Sequence, residues 1–162
     1  MKPSADHELP PEWEHYPNTI LEIYRDGLLR VDLRLPVDES ARNELSNLGL
    51  GPRFAIVTAC NPHGRSLDAA DTHRRIEALD TEIATLPCHF LRADGVSPDG
   101  QHRERGFAVD LPQKAAVELA SRWQQAAIFW FDVYQFWIVA VPNGNGPAIS
   151  LPLTALPRRY DS

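Results

Sequence analysis

Alternation between apolar and polar positions is cleanest at residues 29–35. There Leu29, Val31, Leu33 and Leu35 are separated by Arg30, Asp32 and Arg34. A strand places neighbouring side chains on opposite faces, so this run predicts one buried and one wet face, ended by Pro36. Asp26-Gly27 ahead of it is a hairpin signal that pairs it with a short β run from Asn18 to Tyr24. Residues 53–59 are almost wholly apolar, the pattern of a central strand covered on both faces. Further strands are expected at Cys88 to Ala93 and Gly106 to Leu111. An aromatic-rich hairpin follows, Ile128 to Phe131 and Phe136 to Val141.

Helical spacing appears three times. Asp38 is placed to cap a helix that runs to about Leu48, with Ala41, Leu45 and Leu48 on one side and Gly49 as its stop. Over about 67–86, Ile76, Leu79, Ile83 and Leu86 recur at three and four, while Arg74, Arg75, Glu77 and Glu82 are read as lying off that stripe. Pro112 opens a third helix to about Gln125, with Ala116, Leu119, Ala120 and Trp123 inward. The order β-β-α-β-α-β-β-α-β-β predicts an α+β fold, a mixed, mostly antiparallel sheet with about three helices packed on it. Residues 1–17, with four prolines, read as an extended arm whose end Trp13 and Tyr16 pin to the body. Residues 18–141 form one domain, and 142–162 an irregular Pro/Gly-rich tail.

Charge narrows the function classes. The net charge is −6, and residues 1–50 hold five basic and ten acidic side chains, so the remainder is near neutral. That balance argues against binding to nucleic-acid backbones, yet leaves room for a local anion pocket. The longest apolar stretch, Ala126 to Val141, is interrupted by Asp132 and Gln135 and falls short of the ~20 residues of a membrane-crossing helix. No membrane partner is expected. Cys60 and Cys88 are too few for a disulfide framework and read as reduced thiols of a cytoplasmic protein.

Candidate chemistry concentrates at Thr58-Ala-Cys-Asn-Pro-His-Gly-Arg-Ser66, where a strand stops and a helix begins. The upper end of a strand feeding a helix start is a common ligand position in α/β architecture. Following the chain, the helix from 67 runs down, the next strand returns, and the loop 94–104 lies at the same end. The strand from 106 and the helix after Pro112 then bring Gln125 there too. Asn61, His63, Arg65, Glu104 and Gln125 are thus expected around one pocket.

These residues resemble a bacterial family of unknown function, catalogued as domain of unknown function 3293. The likeness rests on Thr58-Ala-Cys-Asn-Pro62 with Gly64, Leu67-Asp-Ala-Ala70, Asp99-Gly100, Glu104 and Arg122 to Trp130. It spans roughly residues 18–141. The chain matches the family pattern at Asn61, Glu104 and Gln125 and departs from it at Asp71 and Ala126. The resemblance implies a fold unit and a site location and carries no activity, substrate or cofactor.

Three readings follow from the residues. The first is a pocket for a small polar or anionic ligand, nucleotide or phosphate-bearing, with Arg65, His63 and helix-start N–H groups as donors. No Walker or dinucleotide glycine signature accompanies it. The second is a hydrolase or transferase with Glu104 as general base, or with Cys60 and His63 as a nucleophile pair. The third is a non-catalytic interaction module or homodimer built on the aromatic hairpin. The histidines and cysteines lack zinc-site spacing, so no metal is expected. The bland alternative is an ordinary strand–turn–helix junction, in which Glu104 pairs with Arg103 or Arg105 and Gln125 bonds the last turn of its own helix.

Overall fold

A computed structural model describes residues 13–141 and 148–153. Its elements are β1 (Ile20–Tyr24), β2 (Leu28–Asp32), α1 (Glu39–Ser46), β3 (Phe54–Thr58), α2 (Ala69–Ala84), β4 (Phe90–Val96) and β5 (Arg103–Val109). After these come α3 (Gln113–Arg122), β6 (Ala127–Phe131), β7 (Phe136–Ala140) and β8 (Ala148–Ser150). The eight strands of the described residues form one sheet in the order β2-β1-β4-β5-β3-β6-β7-β8. Every pairing is antiparallel, so the α+β prediction holds, with no parallel pair in the sheet. The strand β8 adds one element to the predicted order and pairs Ile149 with Ile138. Residues 1–12, most of the predicted arm, and 142–147 and 154–162 of the predicted tail lie outside the described residues.

Both faces of the sheet are covered, as the unbroken apolar run of β3 requires. Phe54 and Ile56 point to one core with Leu21, Ile23, Leu45 of α1, Phe131, Phe136 and Ile138. Ala55 and Val57 point to the other, under Ile76, Leu79 and Ile83 of α2 and Leu119 of α3. Trp13 is buried in the first core, and the Tyr16 ring meets Phe129 edge-on at 5.7 Å. The helix caps follow local rules. Asp38 accepts a hydrogen bond from the Ala41 N–H and Asp68 from the Asp71 N–H.

Three sequence expectations are corrected. Leu35 is 59 % exposed, because pairing with β1 ends at Asp32 and the chain turns there, Asp32 gripping the Arg34 guanidinium through both oxygens. The strands β4 and β5 run through Asp94-Gly-Val96 and Arg103-Glu-Arg105, which polarity suggested were loop. Several of these charges find partners: Arg103 bonds Glu22 and Asp94 on neighbouring strands, and Arg92 bonds Asp94 along its own strand. Burial alone would raise the Asp94 carboxyl, but Arg92 and Arg103 hold it below its ordinary value. Finally, Arg75 and Glu82 do not lie off the working face of α2. Both grip the end of α3, Arg75 through the Trp123 carbonyl and Glu82 through the Trp123 indole N–H.

Candidate functional site

Antiparallel register builds the floor of a cleft from two rows of side chains. One row runs Leu21, Gly95, Glu104 across β1, β4 and β5. The next runs Ile23, Ala93, Gly106, Thr58 and reaches β3. Glycine at 95 and 106 keeps the floor low. A depression of about 450 Å³, including the space at its open mouth, sits over it. Tyr16, Leu21, Ile56 and Phe129 form its apolar sides, and Glu104 and Gln125 stand at its polar end.

The flanking arginines do not neutralise Glu104. Alternation along β5 turns Arg103 and Arg105 to the opposite face of the sheet, where Arg103 is held by Glu22 and Asp94. One Glu104 oxygen accepts a 2.6 Å hydrogen bond from the Asn61 amide; no ion pair reaches the carboxylate among the described residues. Burial pushes the Glu104 carboxyl above its ordinary range, against the weaker opposing pulls of Asn61 and the nearby His15 imidazole. A partly desolvated carboxylate that faces a cleft without an ion pair is a site signal.

Asn61 is presented by a turn of left-handed backbone. Asn61 and His63 have φ of 50° and 53°, a conformation Asn adopts more readily than most residues. The His63 N–H donates to the Gln124 carbonyl at 2.7 Å, and Gln124 is itself at φ 56°. Gln125 is buried, and its amide nitrogen donates to the carbonyls of Cys60 (3.0 Å) and Trp123 (2.9 Å). Arg75 ties the same two segments, donating to Ala59 O at 2.8 Å and Trp123 O at 2.6 Å. The turn after β3 and the end of α3 are therefore one braced unit.

Residues 57–128 match the family model described as "Protein of unknown function (DUF3293)". No curated protein and no solved structure matches the chain. The DUF3293 segment starts inside β3 and ends inside β6, so it holds Asn61, Arg75, Glu104 and Gln125. The apolar sides supplied by Tyr16, Leu21 and Phe129 come from outside it.

Within the DUF3293 segment the structure brings Asn61, Glu104 and Gln125 together and leaves other candidates apart. His63 and Arg65 are exposed, and neither lines the cleft. Cys60 is buried in the core under α2 and α3, on the face opposite the cleft. Burial pushes its thiol pKa up, and the thiol is directed at the Arg105 carbonyl, not at His63. Among the described residues no group of three or more His, Cys, Asp or Glu side chains is placed to hold a metal ion, and no helix is long and apolar enough to cross a membrane. The aromatic hairpin is largely covered: Phe131 and Phe136 pack on Phe54, and Tyr134 is its one exposed ring.

Sequence reasoning missed Arg75 and the apolar wall. Arg75 was discoverable, since it stands three after Thr72 and four before Leu79, at the edge of the apolar stripe of α2. Tyr16 was expected to pin the arm to the body, as its contact with Phe129 does, but its place in the cleft wall had no local signal.

Proposed function

We propose that this protein binds a small organic molecule in the cleft, with Glu104 as the principal recognition group. The observation that carries the reading is the half-buried, cleft-facing Glu104 carboxylate, held by Asn61 and engaged in no ion pair among the described residues. The apolar sides supply contact area, and the convergent polar end supplies orientation, the usual division of labour in a ligand pocket.

An anion-binding version of the site is less well supported. The start of α2 is already capped by the Asp68 carboxylate, with Asp71 in its first turn, so its N–H groups face negative charge. Arg65, the cation expected to help, is exposed and away from the cleft. Proton transfer by a hydrolase or transferase is the second reading, favoured by the raised Glu104 carboxyl, which suits a general acid or base. The free thiols Cys60 and Cys88 accord with a reducing, cytoplasmic setting.

Two expected results follow. In an NMR screen of small fragments, binders should shift the Gly95 and Gly106 amides, and Glu104→Gln should abolish most of those shifts. Hits that map elsewhere, or that ignore the substitution, would refute the assignment. Glu104→Gln should also stabilise the free protein at pH 7.5 by about 1 kcal/mol, or roughly 2–4 °C in Tm. The sign is fixed by the raised pKa. The folded state holds the Glu104 proton more tightly than the unfolded chain, so stability falls as pH rises from the ordinary value of 4.5 through the raised one. The advantage of the glutamine variant should be full above that window and vanish below it.

A further inference from the structure

Glu104 and Gln125, the polar side chains at the end of the cleft, each present an open acceptor. Two carbonyls fix the orientation of the Gln125 amide, because its nitrogen is the only end that can donate to both Cys60 O and Trp123 O. Gln125 Oε1 is thereby the end of the amide left to accept from a guest. The Asn61 amide nitrogen donates to the Glu104 carboxylate. The Thr58 hydroxyl is already committed, donating to Arg105 O at 2.7 Å and accepting from the Cys60 N–H. Glu104 keeps one oxygen free of Asn61. A guest therefore meets a carboxylate oxygen and an amide oxygen beside the rings of Phe129 and Tyr16, with no described cationic side chain lining the cleft.

We infer that the ligand is an organic cation, a primary ammonium, amidinium or guanidinium group carried on an apolar or aromatic body. Such a head group supplies several N–H donors at once, matching Glu104 and Gln125 Oε1 together, and its charge completes the pair that Glu104 lacks. A carboxylate or phosphate would be repelled by the Glu104 carboxylate.

The inference rests on the cleft assignment made above, and one experiment separates the two. Benzamidine, benzamide and benzoate share a shape and differ in charge. Each is titrated into the full chain and followed by amide shifts of Gly95 and Gly106. Benzamidine should bind about tenfold or more tightly than benzamide, and benzoate should not bind. Both Glu104→Gln and Glu104→Asp should weaken benzamidine, the first by removing charge and the second by withdrawing it from Gln125. If benzamide matches benzamidine, or benzoate binds, in a Glu104-dependent way, the cationic class is wrong and the cleft assignment survives. If none of the three shifts the cleft amides, both fall.

Discussion

Gly106→Ala should lower the stability of the protein by about 3 kcal/mol, or roughly 6–12 °C in Tm, the upper range for overpacking a well-filled interior. A Cβ at this position would lie 2.6 Å from the Val57 carbonyl oxygen and 3.0 Å from that of Ala93. Both obstacles are backbone of neighbouring strands in mid-sheet, and neither can swing aside as a side chain would. Relief requires β3 or β4 to move, and with it the row that carries Thr58 and Ala93. Gly95 is the internal control. Its Cβ would meet only Thr19 Cγ2, at 3.4 Å, so Gly95→Ala should stay close to the parent. Thermal unfolding followed by circular dichroism checks the pair, and equal losses at the two glycines would show that β5 does not sit as described.

Arg75→Met should cost about 2–3 kcal/mol while keeping most of the side-chain stem in place. The guanidinium donates to Ala59 O and Trp123 O and lies 5.3 Å from the centre of the Trp123 ring. Hydrogen bonds from a charged donor are worth more than neutral ones, and methionine leaves the Ala59 carbonyl without the donor it has here. Arg75→Lys should recover only part of the loss, because one ammonium does not reproduce a fork that spans two carbonyls. The damage should be local as well as global. The His63 N–H bond to Gln124 O crosses the same junction, so its amide should exchange faster with solvent in Arg75→Met. Full retention of both Tm and His63 protection would show that Arg75 does not brace the turn.

The two predictions mark what periodicity revealed and what it hid. Alternation in β2, the apolar run of β3 and the spacing of Ile76, Leu79 and Ile83 were legible because burial itself imposes them. The meeting of Asn61, Glu104 and Gln125 was legible too, since antiparallel order dictates which chain ends share one edge of the sheet. Polar residues misled wherever they pair with each other instead of with water. Asp94 and Arg103 looked like loop yet lie within two strands, where Arg103 bonds Asp94 and Arg92 bonds the same carboxylate. His63 and Arg65 looked like site residues because of their type, but the left-handed turn that aims Asn61 at Glu104 leaves both exposed and off the cleft. Sequence placed the arginines beside Glu104; the pleat of β5 puts them behind it.

The most direct measurement is the titration of Glu104 by carboxyl ¹³C NMR, assigned by loss of its signal in Glu104→Gln, in the free protein and with saturating benzamidine. The groups that can couple to it are His15 and Tyr16 from the N-terminal segment and the Cys60 thiol behind the sheet. In the free protein the midpoint should lie above the ordinary glutamate value of 4.5, and benzamidine should bring it down by supplying the missing positive charge. A midpoint at or below 4.5 in the free protein, or one that benzamidine leaves unmoved, would contradict an unpaired carboxylate waiting for a cation.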